Sequence, residues 1–160
     1  MGIFEVQFKA QLENISNLQL PPSEDWHFNV KCTHCNEQHP NTIYFNLQEI
    51  KDIADSRSRA NYYAKCNFCK RQGNILFLEN SFKRYEKSEE FQSVAKFECR
   101  GIEILEFIPN GNFVATSTVS DEVFEDINLT DKDWAGYDEQ GDASVGIYDF
   151  QSQIITSKKG

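Results

Sequence analysis

Four cysteines fall in two pairs, Cys32-Thr33-His34-Cys35 and Cys66-Asn67-Phe68-Cys69, with the 30 residues from Asn36 to Lys65 between them. A C-x2-C turn sets two thiolates along one edge of a tetrahedron and leaves backbone N–H groups free to bond the sulfurs. Two such turns complete the four-sulfur shell of a structural Zn²⁺. The spacer is longer than the usual zinc-ribbon template, but it holds a candidate strand and a candidate helical turn that can return its ends to one another. One zinc ion on Cys32, Cys35, Cys66 and Cys69 is therefore expected. Four thiolates on one divalent cation leave a net negative charge, and Lys31, Lys65, Lys70 and Arg71 stand beside them as cations that favour the thiolate form.

Other chemistries fit these residues less well. Four ordinary buried thiols would not fall in pairs. A dithiol redox site, or a redox-regulated zinc switch, uses the same C-x-x-C spacing. A redox active site, however, wants one exposed pair opening a helix, and neither pair precedes a helical pattern. His27, His34 and His39 cluster around the first pair, yet four thiolates already saturate the ion, which assigns the histidines to surrounding or surface positions. A closed four-sulfur shell also leaves no place for an activated water, against metal-assisted hydrolysis. No G-x-S-x-G, Gly-rich phosphate loop or H-E-x-x-H is present, so no enzymatic activity is expected. The fifth cysteine, Cys99, reads as a small apolar residue on a buried strand face.

The elements that must position the pairs read as short strands joined by turns. Phe4 to Leu12 alternates apolar and polar residues, as does Trp26 to Lys31, which feeds the first pair. Thr42 to Leu47 and Asn74 to Phe82 are further strands, and the aromatic run Tyr62-Tyr63 leads into the second pair. Gln48 to Ala54 carries Ile50, Ile53 and Ala54 at helical spacing, and Ser56 to Arg59 reads as a loop. After the charged stretch Lys83–Glu90, alternation resumes from Phe91 to Arg100 and from Ile102 to Ile108. Pro109-Asn110-Gly111-Asn112 is a hairpin turn signal, with Phe113 to Val119 as the returning strand and Val145 to Phe150 as the last. Val6–Ala10 weakly echoes Ala95–Cys99, a similarity that alternating strands can also reach by chance. The expected fold is mainly β with few short helices: two similar β-rich halves in one elongated unit, residues 1–87 with the zinc site and 88–160 forming the acidic half, either separate or as one compact domain.

Composition narrows the partners. The chain has 160 residues, a net charge of −9 and a hydrophobic share of 39%, with 13 Phe, 6 Tyr and 2 Trp as bulky core material. Lys31 to Arg71 carries seven basic and four acidic residues, whereas Asp121 to Asp149 carries ten acids and one base, Lys132. An acidic chain with so weak a basic module argues against nucleic acid, because phosphate neutralisation needs a cationic surface. Asp131-Lys132-Asp133-Trp134-Ala135-Gly136 departs from a calcium loop at Ala135 and Asp142. Trp134 and Tyr137 among Asp133, Asp138, Glu139 and Asp142 read either as rings tucked into the core beneath a solvated acidic surface or as a docking patch for a basic partner. No basic n-region or long apolar run marks the start, and no segment approaches a membrane span, so the expected compartment is the cytoplasm.

Taken together, Phe8-Lys9-Ala10-Gln11-Leu12-Glu13-Asn14-Ile15, the two cysteine pairs, Phe97-Glu98-Cys99-Arg100-Gly101, Asp126-Ile127-Asn128-Leu129, Lys132-Asp133-Trp134 and Ser144-Val145-Gly146-Ile147-Tyr148 resemble the eukaryotic CXXC motif-containing zinc-binding protein family. The likeness extends from the N-terminus to about Phe150. It implies a small β-rich protein of two similar halves with zinc on Cys32, Cys35, Cys66 and Cys69, and it brings no enzymatic activity. The expectation is a monomeric zinc protein without membrane or nucleic-acid partners, acting as a protein-interaction or metal-homeostasis factor, with a thiol oxidoreductase or redox-regulated zinc switch as the alternative.

Overall fold

The computed structural model describes residues 2–53 and 58–157. Strands follow in the order β1 (Gly2–Glu13), β2 (Ile15–Gln19), β3 (Trp26–Cys32), β4 (Ile43–Phe45), β5 (Lys51–Asp52), β6 (Arg59–Ala60), β7 (Tyr62–Lys65), β8 (Gln72–Phe77), β9 (Gln92–Arg100), β10 (Ile102–Ile108), β11 (Phe113–Ser117), β12 (Val123–Ile127), β13 (Trp134–Asp138) and β14 (Ala143–Ser157). A six-stranded sheet has the order β13-β14-β1-β9-β8-β7. Two three-stranded sheets run β10-β3-β4 and β12-β11-β2, and β5 pairs with β6.

Alternation makes these strands and orients them. In β1 the even residues Phe4, Val6, Phe8 and Ala10 are buried, and in β3 Trp26, Phe28 and Val30 are. Such period-two burial is what a strand with one face on a core produces. The Phe8 ring meets those of Phe107, Phe113 and Phe150, with centroids 5.0–6.2 Å apart, and that of Trp26 at 6.3 Å. Trp26 meets Phe28, Phe97 and Phe107 in turn. These stacked, tilted and edge-to-face rings fill the space where the sheets meet, each contact adding on the order of 1 kcal/mol beyond area burial.

All three larger sheets combine strands from residues 1–87 and 88–160, and one apolar cluster draws side chains from both segments. Their strand orders are nevertheless equivalent. The six-stranded sheet reads alike from either end when β1, β8 and β7 are exchanged with β9, β14 and β13, and the same exchange turns β10-β3-β4 into β2-β11-β12. The echoing strands β1 and β9 lie at the centre of this arrangement and pair antiparallel, Phe4 opposite Phe97 and Val6 opposite Ala95. Each is followed by one residue in the left-handed region, Asn14 (φ 52°) and Gly101 (φ 72°). There the chain leaves the central sheet and pairs with the other segment: β2 with β11, and β10 with β3.

Two expectations need correction. Pro109–Asn112 does turn the chain, but β10 and β11 do not form a hairpin, because β10 is already taken by β3 and β11 by β2 and β12. No helix occurs among the described residues, including the described part of the helical turn expected over 48–54; Ala54 itself, and Ser56 and Arg57 of the expected loop, lie outside them. The reason is local. Asn46 Oδ1 accepts from the N–H groups of Gln48 (3.0 Å) and Glu49 (2.6 Å), an Asx turn. The buried Asn61 amide then donates to the carbonyls of Asn46, Leu47 and Glu49. Carbonyls that a helix would use are claimed from outside.

Gly101 meets two demands at once, a positive φ and a close approach. A Cβ there would stand 3.0 Å from the Gln72 carbonyl oxygen and 3.2 Å from Gly73 Cα, whereas a Cβ at Gly111 meets nothing within 4 Å. Gly101→Ala is expected to cost about 1–3 kcal/mol, and Gly111→Ala less than about 0.5. Urea unfolding checks this: the Gly101→Ala midpoint falls at an unchanged slope, and the Gly111→Ala midpoint stays in place.

Candidate metal centre

Two turns of the same construction carry the cysteines. The first follows β3: Cys32 N–H donates to the Glu37 carbonyl (3.0 Å) and Asn36 N–H to the Cys32 carbonyl (2.9 Å). The second joins β7 to β8: Cys66 N–H donates to the Arg71 carbonyl (2.9 Å) and Lys70 N–H to the Cys66 carbonyl (2.9 Å). In both, the residue after the second cysteine is left-handed, Asn36 at φ 62° and Lys70 at φ 65°. Amide groups then point inward, His34 N–H to Cys32 Sγ and Phe68 N–H to Cys66 Sγ, each at 3.4 Å.

β3 belongs to a three-stranded sheet and β7–β8 to the edge of the six-stranded one, so the two turns approach from different sheets. Their four sulfurs form one cluster, all within 4.8 Å of one another. Cys32 Sγ lies 3.6 Å from Cys69 Sγ, and Cys35 Sγ lies 3.6 Å from Cys66 Sγ. A tetrahedron with zinc–sulfur bonds of about 2.3 Å has edges of about 3.8 Å, so the donor set fits one zinc ion in type and spacing. All four thiols are free.

The electrostatics point the same way. Backbone N–H groups of Cys69 and Phe68 bring the Cys66 thiol down to about 7. The N–H of Glu37 acts likewise on Cys35, but burial and the neighbouring sulfurs outweigh it and push that thiol up to about 12. At Cys32 burial raises the value, and the N–H groups of Cys35 and His34 with the adjoining thiols bring it below the usual range. The protein thus supports part of the charge of four thiolates, and a divalent cation supplies the remainder.

The flanking cations act mainly on the turns. Lys70 Nζ donates to the Asn67 carbonyl (2.9 Å), closing the second turn, and Arg71 Nη1 reaches His34 Nδ1 (3.0 Å), tying the two turns together. Lys31 pairs with Glu103 at 3.8 Å. No histidine enters the cluster: His39 bonds within its own loop to Asn41, and the His27 ring lies against that of Tyr44. Cys99 is 2% exposed within the core, and burial pushes its thiol up. In the acidic segment Trp134 packs edge-on to Phe124, while Tyr137 is exposed and donates to Asp142.

Two supports come from outside the cysteine turns. Thr33 N–H donates to the Gly101 carbonyl (3.1 Å), so the left-handed break between β9 and β10 props the first turn. Asn61 holds the spacer against the base of β7, accepting from Phe77 N–H (2.8 Å) while donating to three spacer carbonyls. The sequence carried a signal for Gly101, a glycine interrupting an alternating run. A single asparagine carries none.

Four thiols held between two turns of a β scaffold define a zinc-binding protein of the paired C-x2-C class. The family model for the eukaryotic CXXC motif containing zinc binding protein matches residues 5–155, and the chain belongs to that family. It is 40% identical to the CXXC motif containing zinc binding protein of Bos taurus over 159 residues, 97% of this chain and 99% of that protein. With the Homo sapiens protein of the same name it shares 39% over the same coverage. The crystal structure of C1orf123 superposes with a TM-score of 0.90 at 36% identity, covering 98% of this chain and 100% of that one. A hypothetical protein from Plasmodium falciparum follows at 0.87 and 31%, covering 97% and 100%. No helix among the described residues is long and apolar enough to cross a membrane.

Purified protein is expected to carry a single zinc per chain. Cys66→Ser should lower zinc content and melting temperature together, whereas Cys99→Ala should keep its zinc. Elemental analysis and thermal unfolding of both variants check this, and a Cys66→Ser protein that melts unchanged contradicts it.

Proposed function

We propose that Cys32, Cys35, Cys66 and Cys69 hold a structural zinc ion, and that the protein acts in the cytoplasm as an interaction factor, a single chain presenting the zinc-clasped end to a protein partner. The observation that carries this reading is what surrounds the sulfurs. The Phe68 ring, on the second cysteine turn, is 61% exposed. It borders a cleft lined also by Val30, Pro40, Tyr62, Ala64 and Ile102. Exposed Lys65, Lys70 and Arg71 stand around it. An aromatic side chain left in water next to a small apolar cleft, with cations at the margin, suits a partner that brings an apolar anchor and acidic neighbours. Because the ion fixes both turns, the surface depends on it.

Affinity capture from cytosol should enrich the same partner with zinc-loaded protein only, and lose it after chelation or in Phe68→Ala. Equal capture by all three forms removes this reading.

A metal-homeostasis role or a redox-regulated zinc switch is supported by a different feature: Cys35, Cys66 and Cys69 are only half-buried, so small thiol reagents and zinc acceptors have access. In that case mild oxidant at cellular potentials releases zinc as disulfides form, reversibly. Zinc retained against both oxidant and an apoprotein acceptor counts against it.

A further inference from the structure

The equivalence of the two chain segments extends to the metal turns. Under the exchange that maps β3 onto β11 and β7 onto β13, Cys32-Thr33-His34-Cys35 falls on Ser117-Thr118-Val119-Ser120. Cys66-Asn67-Phe68-Cys69 falls on Asp138-Glu139-Gln140-Gly141. Several hydrogen bonds of the two frames correspond, although the first turns differ at Asn36, which is left-handed where Asp121 is not. Cys32 N–H donates five residues on, to Glu37, and Ser117 N–H donates five residues on, to Glu122, at 3.0 and 2.9 Å. Thr33 N–H donates to Gly101, the left-handed residue after β9, and Thr118 N–H donates to Asn14, the left-handed residue after β1, at 3.1 and 3.0 Å. His34 N–H points at Cys32 Sγ, and Val119 N–H points at Ser117 Oγ. Lys70 and Asp142, one past each second turn, are both left-handed.

What occupies the centre differs. Ser117 Oγ and Ser120 Oγ donate to the same oxygen of Asp138, Oδ2, at 2.5 and 2.7 Å, and Gly141 N–H donates to Oδ1 at 2.9 Å. Asp138 is 0% exposed and Ser117 is 6%. The two hydroxyls and the turn amides hold the Asp138 carboxyl below the usual range. A carboxylate needs donors, and it has them here without a cation.

We infer that residues 117–120 and 138–141 are a second copy of the metal-site frame, in which the buried Asp138–Ser117–Ser120 cluster replaces ion and thiolates and clasps that end of the molecule without metal. Zinc therefore governs one end only. When it leaves, the turns at 32–37 and 66–71 open, while those at 117–122 and 138–143 stay closed. This deepens the zinc reading above by confining its structural effect, and it adds a latent metal position that the chain itself does not use.

Hydrogen exchange on the full chain, zinc-loaded and after chelation, separates the two ends. The expected result is at least tenfold faster exchange in the cysteine turns with no change at 117–122 and 138–143. Loss of protection at both ends alike overturns the inference. Unchanged exchange at all four turns instead overturns the structural-zinc reading and leaves the second frame to a direct test. For that test, Asp138→Ala should speed exchange at 117–122 and 138–143 while zinc content stays at one per chain. A folded Asp138→Ala protein with both turns still protected refutes the metal-free clasp. Finally, the quadruple variant Ser117→Cys, Ser120→Cys, Asp138→Cys and Gly141→Cys should bind a second equivalent of Co²⁺ with thiolate-to-metal absorption. If it folds and takes up only one, the frames are not equivalent.

Discussion

The antiparallel pairing of β1 with β9 is the contact on which the remaining structure is arranged. It sits in the middle of the six-stranded sheet and brings Phe4 onto Phe97 and Val6 onto Ala95. β14 and β8 then add to either side, and β13 and β7 close the two edges. One left-handed residue at the end of each central strand sends the chain across to the other segment, and the aromatic cluster around Phe8, Trp26 and Phe97 fills the space so enclosed. With the segments interleaved in this way, neither can form its three-stranded sheet alone, since each lends β2 or β10 to the other.

The cysteine turns lie where this scaffold needs help. They join the end of a short three-stranded sheet to an edge hairpin, and β7 is only half-buried along its length. Turn amides favour the thiolate at Cys66, while burial and the neighbouring sulfurs oppose it at Cys35, so the cluster is suited to a divalent ion. At the opposite edge the same junction is made by a carboxylate and two hydroxyls, a smaller cluster whose charge the backbone and side chains satisfy internally. On the proposed reading the metal joins two sheets, and the main core is left to apolar packing.

Much of this could be read from residue order. Strand alternation located β1, β3, β9 and β10 to within a few residues, because each has one face against a core and side-chain period is then fixed at two. Paired spacing identified the four sulfurs. Pairing partners were another matter. Pro109–Asn112 predicts a hairpin on local grounds, and the partner of β10 is instead β3, some 75 residues away. The helical spacing of Ile50 and Ile53 was overridden by Asn46 and Asn61, two polar side chains whose reach depends on tertiary position. Nothing in the sequence joined Ser117 and Ser120 to Asp138, which read only as one acid of an acidic stretch. Only the strand exchange shows them to stand where cysteines stand elsewhere.

The pairing of β1 with β14 has a consequence for synthesis. Phe4 lies opposite Thr156, so β1 leaves the ribosome long before the strand it pairs with on that edge has been made. At about 5–20 residues per second, β1 spends on the order of ten seconds or more with that edge open, the interval in which a nascent chain is most exposed to wrong partners. Residues 32–35 and 66–69 are both translated before the midpoint of that interval, so all four ligands are available to a metal while the later strands of the sheet are still to be made.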